Sequence, residues 1–397
     1  MSYNFSPGIS PEEKTALDAV RTYDADAIEK VIRDQLERLG ISDMFDGKRV
    51  AVKPNLVMKK SPDAAATTHP AVLEAVLRIL RERAADIVIV ESPPGLYTES
   101  ALRGFYNACG IAEVADRLGV RLNVDTSIRE TPLPDAKTAR MFELLCPILD
   151  ADVIVDLAKL KSHALTKFSG AVKNYYGTIP GIQKVETHAR FPDYSDFGSM
   201  LTDLCAFFAG NKPTFSVLDG IVAMEGNGPT GGEPKKLGVL ISGRNPFSVD
   251  RIGAHIAGLD GVIMLDEAER RGFTKSAEEL PLTSEKPLSE YVCTDFKKPE
   301  SAEKSGSSIR LLQTMCGGKI YRLLQPRPVV DAKKCVGCGE CARSCPQKTI
   351  DLIPKKSGGR FAKIKRQKCI ECFCCQELCP VRAVKIKKNP LLKLIGG

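Results

Sequence analysis

Nine of the chain's fourteen cysteines fall between Cys335 and Cys379, and eight of them repeat one spacing twice. Cys335-x2-Cys338-x2-Cys341-x3-Cys345 is followed by Pro346, and Cys369-x2-Cys372-x2-Cys375-x3-Cys379 is followed by Pro380. Three thiols separated by two residues each wrap a tight loop around three corners of a cubane, and the fourth starts a short helix that leads away. A disulfide scaffold spreads its bridges through a small whole chain, so this density points instead to metal in a reducing compartment. Cys-x2-Cys pairs also bind zinc. Two complete copies, each with proline after the fourth cysteine, favour iron–sulfur clusters over two zinc sites. The ninth cysteine, Cys374, is out of phase with the motif. It reads as a packed thiol, with substitution for Cys372 or Cys375 in a damaged cluster as the other reading.

Across residues 329–388 the segment resembles the bacterial two-cluster ferredoxin family. That resemblance implies two [4Fe–4S] clusters with crossed ligation: Cys335, Cys338, Cys341 and Cys379 on one, and Cys369, Cys372, Cys375 and Cys345 on the other. Four cysteine ligands leave no open iron, so such a centre moves single electrons rather than binding substrate. Electron transport to or from a redox partner protein is the expected role. Between the motifs, residues 355–360 read as a hairpin turn.

The 397 residues are too many for one small core and imply two or three domains. We expect an α/β domain over residues 1–295, a polar linker over 296–325 containing a short helical piece at 309–324, and the small α+β two-cluster domain over 326–397. Charge divides along the same line: residues 326–397 carry 17 Lys and Arg against 5 Asp and Glu, leaving 40 against 44 for the rest. Thiolate-ligated clusters bring negative charge, which basic residues offset while steering an acidic partner, so a nucleic-acid surface is the weaker reading of this excess. Apolar runs such as 151–157 are far shorter than the roughly 20 residues of a membrane span. The N-terminus has neither a basic start nor an apolar core, so no secretory signal is read and a cytoplasmic location is expected.

The large domain alternates β-rich apolar runs with helical periodicity. Strands are expected at 49–53, 86–91, 121–125, 152–156, 215–218 and 237–242, and helices at 70–83, 98–109, 195–209 and 246–258. This alternation implies an α/β fold: a mainly parallel sheet with helices on both faces. Its most informative stretch is residues 158–188, where a strand runs into a segment dense in His, Lys, Ser, Asn and Gly. That composition is expected at the carboxyl end of a parallel strand, where α/β sheets hold ligands. Gly226-x-Gly228-x-x-Gly231 matches a dinucleotide fingerprint by letter, but Pro229, Gly232 and Pro234 preclude a helix there, so it reads as a turn lining the same cleft. Asp219, Glu225 and Asp250 read as loop acids, with acid/base or metal-ligand roles as the alternative.

Four segments carry a resemblance to the domain-of-unknown-function 362 family over residues 48–260. They are VKPNLV at 52–57, KLKSH at 159–163, FSGAVKNYYGTIPG at 168–181 and DGIVAMEGNGPTGG at 219–232. The family name carries no activity, but members with an appended ferredoxin domain are common, as the architecture here would require. A second resemblance is to the nickel-pincer lactate racemases. It rests on His163, Lys173 within Ser-Gly-Ala-x-Lys, a following Pro-Gly and His188, with Ala171 replacing a glycine. The resemblance implies that Lys173 would hold a cofactor, His188 would help bind metal, and His163 with His69 would act as acid/base. We therefore expect His69, His163, Lys173 and His188 to converge on one cleft open to the ferredoxin domain. The leading functional reading is an iron–sulfur oxidoreductase whose tail exchanges electrons with a small-molecule substrate site. An electron carrier or docking module without catalysis is the first alternative. A non-redox isomerase similar to the racemases is the second.

Overall fold

A computed structural model describes residues 9–300 and 326–387. The expected helical piece at 309–324, and the linker beyond residue 300, lie outside the described residues.

The large domain is built on one mixed sheet. Its strands are β1 (Thr15–Ala19), β2 (Arg49–Pro54), β3 (Asp86–Ile89), β4 (Arg121–Leu122), β7 (Val153–His163), β8 (Lys167–Ser169), β9 (Thr214–Glu225), β10 (Glu233–Gly243) and β11 (Leu282–Ser284). The remaining two, β5 (Ile128–Pro132) and β6 (Met141–Leu145), form a separate hairpin. Strand order is β11-β1-β10-β9-β7-β2-β3-β4, with β8 folded back on β7. From β9 through β4 all neighbours are parallel, while β10 is antiparallel to both β9 and β1.

Helices cover both faces. α1 (Ala25–Leu39), α2 (Pro70–Arg81), α3 (Glu99–Ala108) and α4 (Ile111–Leu118) lie on one side, and α8 (Tyr194–Asn211), α9 (Pro246–Ile256) and α10 (Ile263–Arg270) on the other. The short helices between the two groups are α5 (Cys146–Leu149), α6 (Ala171–Asn174) and α7 (Gly181–Arg190). Along β7 the side chains alternate: Val153 and Val155 pack with the first group, and Ile154, Ala158 and Leu160 with the second. All eleven residues of β7 are buried, and each large aliphatic among them contributes about 1.5–3 kcal/mol relative to exposure. Two buried faces explain the apolar stretch at 153–155 that opens this strand, while Asp156, Lys159, Lys161 and His163 further along are buried polar groups.

Chain order places the ligand crevice. β2 continues outward through β3 and β4, and the chain then returns to lay β7 on the other side of β2. The carboxyl ends of β2 and β7 therefore flank a topological switch point, where open α/β sheets bind ligands. β9 and β10 run on past the body of the sheet, since β1 pairs only with residues 239–243 of β10. Their connecting turn, residues 226–232, overhangs that crevice.

The C-terminal domain contains two antiparallel pairs, β12 (Arg327–Val330) with β15 (Val384–Lys387), and β13 (Ile350–Pro354) with β14 (Arg360–Ile364). Each cysteine run ends its loop in a four-residue helix, Glu340–Arg343 and Cys374–Glu377.

Candidate functional site

The two cysteine runs fold onto each other. Cys335, Cys338, Cys341 and Cys379 line one small cavity, and Cys345, Cys369, Cys372 and Cys375 line a second. Backbone φ is positive at residues 337, 339 and 348 of the first run and at 371, 373 and 382 of the second, each pair 34 residues apart. The repeat extends to the hydrogen bonds. The Thr349 N–H donates to Cys345 Sγ at 3.3 Å and the Ala383 N–H to Cys379 Sγ at 3.1 Å. Amides aimed at sulfur favour the thiolate. Burial, and then the neighbouring thiols of Cys335, Cys379 and Cys338, push the Cys341 thiol up to about 11. Thiols so placed ionise together only around a cation, and two sets of four soft donors fit iron–sulfur clusters.

The crevice beside β2 and β7 is strongly polar. Lys53 near the end of β2 forms an ion pair with Glu91, just beyond β3. Asn174 Oδ1 accepts from Lys53 Nζ at 3.2 Å and from Asn55 Nδ2 at 3.0 Å. Lys161 Nζ donates to Asn55 Oδ1 at 2.5 Å and to the Ala66 carbonyl at 2.8 Å. Beneath them Asp156 accepts from Asn174 Nδ2 at 2.6 Å and Ser216 Oγ at 3.2 Å. Burial raises the Asp156 carboxyl to about 7.

Lys173 is held in place by a partner distant in sequence. The Asp250 carboxylate on α9 accepts from the Ala171 and Val172 N–H groups at 2.6 and 2.8 Å, clamping the start of α6, which carries Lys173. A Cβ on Gly170 would lie 2.2 Å from Asp250 Oδ1, so the clamp requires glycine there. Gly177 is equally constrained, since its Cβ would stand 2.3 Å from both Lys53 Nζ and Glu91 Oε1.

These elements wall a cleft of about 720 Å³, mouth included, to which α7 adds Lys184 and His188. The cysteine-rich domain supplies the opposite wall through Cys374, Glu377 and Leu378. Phe373 seals the junction against Ala164 and Ile386. Across the same junction Gln376 Nε2 donates to the Asn227 carbonyl at 2.9 Å, and Thr230 Oγ1 to the Glu377 carbonyl at 2.5 Å. Cys374 lines both the cleft and the second cysteine cavity.

His163 is fully buried behind this wall. Its Nδ1 accepts from the N–H groups of Leu165 at 3.0 Å and Thr166 at 3.3 Å, so the neutral ring carries its proton on Nε2. That atom stands 3.3 Å from Glu377 Oε1. Burial raises the Glu377 carboxyl to about 7, against the pull of Lys173 and Lys161. Burial and then Lys173 hold His188 down at about 3. Burial also lowers Lys161, Lys173 and Lys184, the last to about 7.

Sequence comparison matches residues 50–255 to a domain of unknown function (DUF362) and residues 328–386 to a 4Fe-4S dicluster domain. The thylakoid-associated protein sll1697 of Synechocystis sp. is 32% identical over 289 residues, covering 70% of this chain and 86% of that protein. The chain belongs to the DUF362 family. The lactate racemase apoprotein of Thermoanaerobacterium thermosaccharolyticum aligns with a TM-score of 0.37 at 14% identity, over 61% of this chain and 56% of the racemase chain. The C-terminal part of this DUF362 protein is thus an iron–sulfur module of the electron-carrying kind. Among the described residues no helix is long and apolar enough to cross a membrane.

Within the DUF362 region, Lys173 and His188 line the cleft, and His163 stands behind Glu377. His69 does not join them. Its Nδ1 accepts from the Ala71 N–H at 3.2 Å as the N-cap of α2, and its ring stacks on Tyr23 at 3.5 Å. Tyr23 belongs to a separate buried network with Lys159 and Asp219, whose ion pair measures 2.8 Å. Helix capping and ring stacking, rather than cleft geometry, therefore set the position of His69. Glu225 accepts from the Lys297 N–H at 2.9 Å. The turn at 226–232 borders the cleft through Pro229. Sequence reasoning missed Asn55, Glu91, Lys184 and Glu377 as cleft residues. Asn55 follows directly on β2 and Glu91 stands two residues past β3, a signal that could have found them. Lys184 and Glu377 arrive by packing that no local pattern encodes.

Proposed function

We propose that this protein is an oxidoreductase whose ferredoxin domain exchanges electrons with a small molecule held in the cleft at the carboxyl ends of β2 and β7. The supporting observation is Cys374, which borders both the cleft and the cavity of Cys345, Cys369, Cys372 and Cys375. In this reading the eight motif cysteines ligate two [4Fe–4S] clusters, with Cys345 and Cys379 crossing between them, and a redox partner protein supplies or accepts electrons at the far side. When bound, the clusters supply single electrons. The chain's own residues do the rest. Lys161, Lys173 and Lys184 orient the ligand, Glu377 and the Nε2–H of His163 hold a proton beside it, and Phe373 keeps water from the junction. A cytoplasmic location suits thiols that must stay reduced to bind iron.

The test is anaerobic purification followed by metal analysis and a redox titration read by electron paramagnetic resonance. We expect about eight iron and eight sulfide per chain. Removing one positive charge with Lys173→Met should lower the potential of the cluster nearer Cys374 by roughly tens of millivolts and leave the other in place. An equal shift in both clusters, or in neither, overturns the reading.

A further inference from the structure

We propose that the cleft binds a small organic anion through its carboxylate or phosphoryl oxygens, held by Lys173, Lys184 and Lys161; this rests on the reading of the cleft as a small-molecule site. The case is one of unfilled donors. A lysine ammonium has three N–H groups. Lys161 uses two of them, on Asn55 and Ala66, and Lys184 is bonded to the Ser92 carbonyl. Lys173 has no hydrogen-bond acceptor among the described residues and meets only the face of Tyr176, 5.5 Å from the ring centroid. All three lysines line the same cleft. Lys173 is half-buried, and an ammonium walled by protein without acceptors is costly, more so with others of like charge beside it.

The wall's own carboxylates do not fill these donors. Glu91 is taken by Lys53, and Glu377, whose Oε1 lies 3.3 Å from His163 Nε2 without a hydrogen bond, accepts from none of the three lysines. Negative charge held by the second set of cysteines lies behind Cys374 and attracts the ammoniums from a distance, but a hydrogen bond needs an acceptor inside the cleft. An oxyanion supplies both the charge and the acceptors in one group. Leu56, Val57, Pro94, Val185, Pro229 and Leu378 give the lining its apolar part, which suits a short carbon skeleton. The enclosed cavity volume of about 80 Å³ limits the ligand to a small one.

The experiment uses the full, cluster-loaded protein under anaerobic conditions. Oxalate, inorganic phosphate, the neutral analogue oxamide and chloride are titrated at matched ionic strength by calorimetry and thermal unfolding. Oxalate or phosphate should bind with a Kd below about 1 mM and raise the unfolding temperature, while oxamide and chloride should do neither. Tighter oxalate assigns a carboxylate ligand, and tighter phosphate a phosphoryl ligand. Lys173→Met should raise the unfolding temperature of the ligand-free protein and weaken anion binding at least tenfold. Lys184→Met, from a different helix, should weaken it as well, which guards against a single variant that fails to fold. The proposal is overturned if neither anion binds below about 1 mM, or if both variants bind like the native chain. Binding is read without electron transfer, so the two proposals fail separately. Anion binding with unresponsive cluster potentials removes the oxidoreductase reading alone, and a responsive potential without anion binding removes this one alone.

Discussion

The two cysteine repeats share a backbone and differ in what they show the rest of the protein. Where the first has Gly337 and Gly339 in the left-handed region, the second has Glu371 and Phe373. A non-glycine residue there costs about 1–2 kcal/mol. At the following positions Glu340, Ala342 and Arg343 of the first repeat correspond to Cys374, Gln376 and Glu377 of the second. The first set faces solvent: Val336 is 64% exposed, Cys338 is exposed, and Arg343 pairs with Glu340 at 2.6 Å on the surface. The second set is the docking face. Buried Phe373 packs on the turn after β7, and Gln376 and Glu377 bond across the junction. Strain at Phe373 is thus offset by about 1.5–3 kcal/mol of aromatic burial. A duplicated fold has kept its ligand spacing in both halves and spent only one half on attachment.

The most severe way to break this comparison is at the fourth cysteines. Cys345→Ala should destroy the cluster framed by Cys369, Cys372 and Cys375 and spare the one in its own run, as read by iron content and paramagnetic resonance. Loss confined to the cluster at Cys335–Cys341 would contradict the crossed arrangement.

Next comes Phe373→Gly, which restores the first repeat's residue at the docking position. Removing a buried phenylalanine costs about 3–5 kcal/mol, less about 1–2 kcal/mol of backbone strain released, so a net loosening of about 2 kcal/mol is expected. Hydrogen exchange should rise at 374–377 and in the turn after β7, with iron content unchanged.

Acid should act on the docked side in the same direction but more gently. Burial holds His163 and His188 below the usual imidazole value, His188 at about 3. The unfolded chain takes up protons near pH 6.5 that the folded chain refuses, so stability is full above that value and falls as pH drops toward 3. At pH 5.5 each of these histidines should cost on the order of 1 kcal/mol. Circular dichroism in urea at pH 7.5 and 5.5 checks this, and replacing His188 with Phe should flatten the dependence. The smallest effect belongs to Arg343→Ala, at the first repeat's counterpart of Glu377. An exposed, solvent-screened pair of this kind contributes little, and urea unfolding should barely move.

The cysteine-rich domain was legible because ligation demands fixed spacing, and spacing is what a sequence displays. The mainly parallel sheet and its two helical layers were legible from the apolar stretch that opens β7 and from the apolar length of α8. The edges were not. β1 is a five-residue strand at the N-terminal margin, and β10 begins four residues earlier than its apolar core because Glu233–Lys236 pair with β9 while remaining polar. β4 stops at Leu122, where Asn123 turns its side chain to the Asp125 carbonyl. In the cleft, Lys173 and His188 were found through one contiguous segment. Glu377 lies 204 positions from Lys173 in the chain, and only the docking of two domains brings them together.

The overhanging part of β9 and β10 acts as a ruler. Its turn touches Gln376 and Glu377, so the spacing between the two domains is written in backbone length rather than in cleft side chains. Lengthening each strand by two residues would carry the turn about 7 Å outward while keeping every side chain on its original face. Substitutions inside the crevice leave that span untouched. Descendants of one ancestor can therefore trade one ligand for another while the cysteine-bearing half stays at a constant remove.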